Sequence, residues 1–348
     1  MTTSTHPLTV RAQDLADRLL APEAARVDTS EVPASHVGAI REAGLLGVSG
    51  PVEYGGAGAP DPVAREVQEI LSGACGSTWF VQTQHHTPVR MLAKSELPVR
   101  ERLLRPLATG GLLAGIAYAH VRALPRVPVR ATAERDGWRF DGTVPWYTGW
   151  GLNDVMLLAG VTGSDEIVFA FAEAREQPGL RPSAPMRLAA LSAARTVSLD
   201  LDGLWLPGSS VVLRTPQEKF ALLDIPRSTN TSPAVFGIAH AALRLVADSG
   251  EPGTAAALRA ALDEVRGRAY ALADHPVPHE HVEERLALRT RAYDLMRAAT
   301  TAAISASGGR AMDLRHPAQR LAREGMFLVI QGQTSAVRRA YLDALARG

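Results

Sequence analysis

The sequence predicts an α+β fold in which two helical regions flank a central β domain. Residues 1–112 carry apolar residues at helical spacing, and residues 220–348 do so again. Between them, residues 113–219 contain short β-rich runs separated by Gly, Pro and Asp. We therefore predict three domains with these boundaries, in line with the two or three domains that a chain of 348 residues usually forms.

The N-terminal region has the pattern of helices joined by polar loops. Val37 and Ile40 lie three residues apart, and Gly44 is a suitable helix end. Residues 54–62 (YGGAGAPDP) have the composition of a loop, and apolar residues at helical spacing follow at positions 63–70. We expect helices on both sides of this loop.

The central region has the pattern of an all-β domain, because short β-rich runs alternate with turn signals. This pattern is typical of a barrel or a sandwich. The predicted strands are WRFDG (138–142), DVMLLAGV (154–161), EIVFAFAEA (166–174), TVSLDLDGLWLP (196–207) and VVLR (211–214).

The C-terminal region predicts about four antiparallel helices. Apolar residues recur every three or four positions from Leu258 to Leu272, and a second such stripe runs from Leu286 to Ile304. Helix breakers stand at residues 251–253, 275–278 and 308–309. Short connections of this kind place consecutive helices side by side in a bundle.

Composition excludes several classes of protein. There are 37 basic and 36 acidic residues, whereas a nucleic-acid binder carries a basic excess. The single Cys75 cannot form an internal disulfide, which favours a reducing, cytoplasmic location. The N-terminus lacks the apolar core of a signal peptide, and the longest uncharged stretch, residues 70–89, is too polar to span a membrane.

Generic catalytic and metal-binding motifs are absent from the sequence. It contains no phosphate-binding glycine loop, no G-x-S-x-G and no H-E-x-x-H. The group of His and Glu residues at 279–284 is interpreted as a solvated helix start rather than a metal site. His85 and His86 lie in an apolar stretch, where they either face a substrate or form hydrogen bonds within the core.

Five segments together resemble the acyl-CoA dehydrogenase superfamily. They are residues 44–59 (GLLGVSGPVEYGGAGA), 136–149 (DGWRFDGTVPWYTG), 195–207 (RTVSLDLDGLWLP), 308–324 (GGRAMDLRHPAQRLARE) and 331–345 (QGQTSAVRRAYLDAL). They cover nearly the whole chain in the order of the family. The resemblance implies an N-terminal helical domain, a central β-barrel, a C-terminal four-helix bundle and FAD held between barrel and bundle, usually in a homodimer or homotetramer.

The cofactor residues implied by the resemblance begin at Trp146 and Thr148, which match the family's Trp-x-Thr. There the Trp packs near the flavin ring and the Thr hydrogen-bonds near its reactive edge. An aromatic face and a hydroxyl suit a flat redox ring. An alternative for Trp146 is packing at the edge of the barrel.

Other positions depart from the family. Its Thr-Glu-Pro and Gly-Ser-Asp loop is replaced by Tyr118, Ala119 and His120 and then by Ala123, Leu124 and Pro125. Its Arg-x-x-Phe-Gly segment gives way to ADSGEPGTAA (247–256), and its Gln before the double glycine is Ser305. Arg122, Arg126 or Arg195 is available as a phosphate contact in their place.

The catalytic base is the largest departure. Dehydrogenation of an acyl thioester needs a carboxylate beside the α-carbon. The family's Glu aligns with Gly332, or with Gln331 after a shift of one residue, and neither side chain accepts a proton at neutral pH. The alternative position of that Glu, at the first helix of the C-terminal domain, holds Pro226, and Asp224 is the carboxylate nearby.

Three functions remain open at this point. They are an FAD-dependent oxidoreductase acting on an acyl thioester or a related small molecule, a flavin-dependent monooxygenase or oxidase that uses oxygen, and a flavin-free scaffold. The predicted catalytic residues are Asp224, Gln331 and Gln333; the predicted cofactor residues are Trp146, Tyr147, Thr148, Arg195, Ser305, Gly308 and Gly309; the predicted substrate residues are His85, His86, Tyr118 and His120.

Overall fold

The N-terminal part of the chain is helical, as predicted. The computed structural model describes residues 5–123, 126–277 and 279–347, so that Leu124, Pro125 and Pro278 lie outside the described residues. Residues 16–20 form a single π-helical turn between the first two helices. The helices are α1 (Pro7–Leu15), α2 (Ala21–Asp28), α3 (Ala34–Glu42), α4 (Asp61–Ala74), α5 (Gly76–Thr83), α6 (His86–Ala93) and α7 (Val99–Ala108).

The central domain is one mixed sheet of eight strands. Its order is β6-β7-β3-β2-β4-β5-β8, and β1 pairs in parallel with β4. Within the described ranges the edge strands β6 and β8 do not pair with each other. The strands are β1 (Ala114–Ala117), β2 (Val129–Glu134), β3 (Gly137–Tyr147), β4 (Val155–Val161), β5 (Glu166–Glu173), β6 (Leu180–Pro182), β7 (Val197–Pro207) and β8 (Val211–Pro216).

Both faces of this sheet are covered. One apolar cluster contains Phe140, Met156 and Leu199 from three strands. A second joins Phe169 of β5 to Leu92 and other residues of α6 and α7. Strands β4 and β5 are therefore buried along almost their whole length, which explains their nearly continuous apolar sequences.

The C-terminal part is a helical bundle. Helices α9 to α12 pack on one another, α8 leads into them from β8, and α13 packs on α11. The glycines at 308–309 follow α11, as the sequence predicts. The helices are α8 (Gln217–Thr229), α9 (Pro233–Asp248), α10 (Pro252–Ala273), α11 (Val282–Ser307), α12 (Pro317–Ile330) and α13 (Ser335–Arg347).

Close helix contacts join the N-terminal helices to the bundle. A Cβ atom at Gly237 of α9 would lie 2.2 Å from the carbonyl oxygen of Glu69 in α4, so only glycine permits this approach. Nearby, the backbone N–H of Gly76 donates to the buried carboxylate of Glu324, which also pairs with Arg320 at 2.8 Å. The contact of Glu324 with Gly76 holds α12, whose C-terminus reaches the candidate site.

The predicted α+β fold is therefore confirmed, with helices before and after a central β domain. The sheet also contains β1, β2 and β6, which the sequence patterns did not predict. Among the described helices, none combines the length and the apolar character needed to cross a lipid bilayer.

Candidate active site

The end of strand β3 carries the predicted cofactor residues. Tyr147 pairs with Val197 of β7, which brings Thr148 opposite Thr196, and their hydroxyl oxygens lie 3.1 Å apart. Thr148 is buried, whereas the indole of Trp146 is 55% exposed. An open aromatic surface therefore stands beside a hydroxyl pair.

Behind this surface, the phenol of Tyr147 is fully buried. Asn153 donates from Nδ2 to the Tyr147 hydroxyl oxygen at 2.9 Å and to the Thr148 carbonyl oxygen at 2.8 Å. Burial raises the pKa of Tyr147, with the Asn153 hydrogen bond opposing it. A Cβ at Gly115 would lie 2.4 Å from Asn153 Nδ2, so β1 must carry glycine there. Tyr147 thus supports the strand end from inside the domain.

Arg195 lies next to this surface. Its backbone is left-handed, with φ of 53°, and its carbonyl oxygen accepts from the Trp150 N–H at 3.3 Å. Its guanidinium is about one-third exposed and lies 3.5 Å from the Glu31 carboxylate. The structure therefore places Thr148 beside Thr196, which follows Arg195 in the chain, and Trp146 lies two residues before Thr148.

These residues fit a flavin. An exposed indole offers a flat apolar face, the Thr148–Thr196 pair offers hydroxyl groups, and Arg195 offers a cation of the kind that pairs with phosphate. The donor set matches the ring and the diphosphate of FAD in chemical type.

The predicted cofactor residues Ser305, Gly308 and Gly309 lie on the C-terminal bundle. They are exposed at the C-terminal end of α11, and a Cβ at either glycine would meet no atom within 4 Å. A shallow groove of about 550 Å³ runs along α11 there, and Ser305 is in its lining whereas Trp146 and Thr148 are not.

A second cluster forms around Arg122, in the 3₁₀ turn after β1. Its Nε donates to Asp224 Oδ2 at 2.6 Å and its second terminal nitrogen donates to Oδ1 at 2.7 Å. The Asp224 carboxylate is 7% exposed. Burial lowers the pKa of Arg122, but the hydrogen bond to Asp224 outweighs it and the pKa is raised. Both carboxylate oxygens are therefore occupied by a guanidinium.

Gly332 lies against the same guanidinium. It follows α12 in a left-handed conformation, with φ of 61°, and a Cβ there would lie 3.6 Å from Arg122 Nη1. Gln333 beside it donates to the Val329 carbonyl oxygen at 3.4 Å. The two positions that the sequence offers for a base, at Asp224 and at Gly332, thus meet at Arg122.

Arg289 of α11 holds this arrangement. Its guanidinium is buried and donates to the backbone carbonyl oxygens of Ser228, of Asn230 at 3.3 Å and of Gln331 at 3.2 Å. Its Nε donates to the Tyr293 hydroxyl at 2.7 Å. One side chain therefore connects the end of α8 to the turn that carries Gly332.

The predicted substrate histidines are buried. His85 accepts from the Ala114 N–H at Nδ1 and donates from Nε2 to the Leu107 carbonyl oxygen, both at 3.0 Å. Burial lowers its pKa to about 4. His86 Nε2 lies 3.0 Å from Gln82 Oε1, and its Nδ1 has no partner among the described residues. The hydrogen bonds of His85 match the core alternative considered from the sequence.

Tyr118 and His120 follow β1. The Tyr118 ring is buried against Phe169, and burial raises the pKa of its hydroxyl. His120 Nε2 donates to the Ala159 carbonyl oxygen at 3.0 Å, and burial lowers its pKa to about 4. Tyr118 lies near Arg122 and Asp224, whose charges act on its hydroxyl.

Sequence reasoning misses Arg289 and the role of Arg122 in this site. Arg289 falls on the apolar stripe between Leu286 and Tyr293, and a basic residue in such a stripe is a signal for a buried role. Arg122 was considered only as a phosphate contact, because its pairing with Asp224 depends on tertiary structure.

Comparisons with known proteins find similarity to acyl-CoA dehydrogenases. Residues 4–111 match the family model of the acyl-CoA dehydrogenase N-terminal domain. The chain is 27% identical over 247 residues to the probable acyl-CoA dehydrogenase YngJ of Bacillus subtilis, which covers 66% of this chain and 64% of that protein. It is 26% identical over 360 residues to the mitochondrial short-chain specific acyl-CoA dehydrogenase of Bos taurus, which covers 94% of this chain and 86% of that protein.

The fold has a solved counterpart. Butyryl-CoA dehydrogenase of Megasphaera elsdenii superimposes with a TM-score of 0.84 at 16% identity, covering 99% of this chain and all of the other. The sequence match to the Bacillus protein, in contrast, spans less than two thirds of that relative's length. The likeness is therefore strongest in the fold.

Proposed function

Because the chain belongs to the acyl-CoA dehydrogenase superfamily, we propose that it is an FAD-dependent oxidoreductase that acts on an acyl thioester or a related small molecule without a glutamate base. The observation that carries the proposal is the exposed indole of Trp146 beside the Thr148–Thr196 hydroxyl pair. FAD, when bound, supplies the acceptor for two electrons and, when reduced, the ability to react with oxygen.

The cluster around Trp146 would bind the cofactor, and the cluster around Arg122 lies at the two positions considered for a base. Trp146 would cover the ring, Thr148 would hydrogen-bond at its edge, and Arg195 would pair with the diphosphate. Tyr147 and Asn153 hold the strand end that carries them. The rigid support matters because a ring must be held in one orientation to react with a bound substrate.

The second cluster argues against the usual proton abstraction. Asp224 is poorly placed as a general base, because its carboxylate is 7% exposed and both of its oxygens accept from the charged guanidinium of Arg122, and Gly332 has no side chain. The chemistry supported best is therefore one that does not need a strong carboxylate base beside the α-carbon.

The absorbance spectrum of the purified protein tests the cofactor. We expect flavin bands, and we expect Trp146→Ala to weaken FAD binding by about fivefold, because an aromatic stacking contact contributes about 1 kcal/mol beyond the buried area. Trp205→Ala is the matched control, since Trp205 is also exposed, on β7, and lies outside the cluster. A colourless protein that rejects added FAD would leave only the flavin-free scaffold.

A second candidate is an oxygen-using monooxygenase or oxidase. The paired state of Asp224 and the glycine at 332 favour it, because such chemistry requires no α-proton to be removed. Bleaching of the flavin by a short acyl-CoA without oxygen would support dehydrogenation. Reduction only by a separate nicotinamide-dependent system, followed by oxygen uptake, would support the second candidate.

A further inference from the structure

Arg122 has N–H donors that no described residue uses. A guanidinium has five N–H donors, and Asp224 takes two of them from the side of Nε. The described residues provide no further hydrogen-bond partner for Arg122, and its side chain is 20% exposed. The remaining donors include the end-on fork of the two terminal nitrogens, which matches a second carboxylate.

The free side of this fork points to Gly332. Nη1 lies 3.6 Å from the position that a Cβ of residue 332 would occupy, and Gly332 is exposed. A side chain at residue 332 would begin in van der Waals contact with Nη1, and the glycine leaves that space unfilled. Asp224 fixes the orientation of the guanidinium, and Arg289 fixes the turn that borders the space.

The charges around this space favour an anion. Arg227 lies three residues after Asp224, on the same side of α8, and it has no ion-pair partner among the described residues. Arg90 of α6 lies 3.8 Å from Asp61. With Arg122 paired to Asp224, the charge of Arg227 remains uncompensated, and this charge acts on both Arg90 and Tyr118.

From this geometry we infer that Arg122 binds a carboxylate group of the substrate, so that the enzyme takes a small acid or an acyl thioester that carries a free carboxylate. Arg122 fixes the position of the substrate and removes no proton. The inference rests on the proposed function for the statement that the bound carboxylate belongs to the substrate.

Two substitutions at position 332 test it as a matched pair. Asp and Asn both tolerate the left-handed backbone of Gly332 and have the same size. Gly332→Asp places a carboxylate against the free fork and occupies it, whereas Gly332→Asn adds the same bulk without charge. We expect the Asp variant to lose binding of succinate by about tenfold relative to the Asn variant.

Substitutions of Arg122 and of Asp224 provide a second test, because we expect them to change succinate affinity in opposite directions. Arg122→Gln removes the fork and should weaken succinate binding by about tenfold or more. Asp224→Asn removes the opposing charge and should strengthen it a few-fold at low salt. A purely structural ion pair would make both variants bind more weakly.

The measurement is isothermal titration calorimetry of succinate into the purified protein, with succinamide as the neutral probe and circular dichroism to check folding. Binding of succinate but not succinamide, with the expected order of variants, supports the inference. Failure of the wild-type chain to bind succinate, equal binding by the two variants at 332, or weaker binding by both ion-pair variants overturns it. The assay needs neither flavin nor turnover, so its failure is distinguishable from failure of the proposed function.

Discussion

Mild acid should destabilise the folded chain through His85. Both ring nitrogens are used, because Nδ1 accepts from the Ala114 N–H and Nε2 donates to the Leu107 carbonyl oxygen. Protonation would place a hydrogen on Nδ1 against an N–H donor. Burial, reinforced by the charge of Arg41 and opposed by the Leu107 hydrogen bond, lowers the pKa from 6.5 to about 4.

The direction of the pH effect on stability follows from the number of protons that the folded and unfolded chains bind. Since the folded pKa is below the unfolded value, the unfolded chain binds more protons between pH 6.5 and about 4. The stabilising contribution of neutral His85 to the free energy of unfolding is fully present above pH 6.5 and is lost as the pH falls towards 4. The difference between the two pKa values corresponds to about 3 kcal/mol for His85.

Urea unfolding followed by tryptophan fluorescence, repeated between pH 7.5 and 4.5, measures this loss. His85→Gln retains a donor for Leu107 but cannot be protonated. It should lower the free energy of unfolding at pH 7.5 and flatten its pH dependence by up to about 1.4 kcal/mol per pH unit. His279→Gln, in the exposed turn before α11, is the control and should leave the slope unchanged. A His85→Gln curve parallel to that of the wild type would refute the reasoning.

Two further predictions concern the contacts that join the helices. Glu324→Gln leaves the buried Arg320 charge uncompensated and should lower the free energy of unfolding by about 3 kcal/mol. Replacing both residues by Leu and Met should lower this free energy less. Chemical denaturation of the two variants measures the difference. Gly237→Ala should destabilise by about 2 kcal/mol, because its Cβ would lie 2.2 Å from the Glu69 carbonyl oxygen. Gly267→Ala, in α10 with no atom within 4 Å of its Cβ, should instead stabilise the fold by about 0.5–1 kcal/mol. A lower melting temperature for Gly267→Ala than for Gly237→Ala would contradict this packing argument.

The arrangement of helices and strands is predictable from the sequence because apolar periodicity records which face of an element is buried. Strands β4 and β5 have almost continuous apolar sequences and were predicted near their observed bounds. Strand β1 was not, because Ala114–Ala117 is a short run of small residues whose strand conformation depends on parallel pairing with β4. Strand β6 has only three residues and no pattern of its own.

The site is less predictable because it joins parts of the chain that are far apart in sequence. The pairing of β3 with β7 brings Thr148 to Thr196, and no local pattern at either residue indicates the other. In the same way, Asp224 and Gly332 were considered as separate positions for a base. Only the folded chain shows that Arg122 contacts both of them.

Arg289 donates to carbonyl oxygens of two backbone segments that are far apart in the sequence, residues 228–230 and residue 331. Because one guanidinium holds both segments, a shift of α11 along its own axis would move the end of α8 and the glycine turn with it. Substitutions on α11 can therefore reposition Gly332 even where the changed residues never touch a ligand.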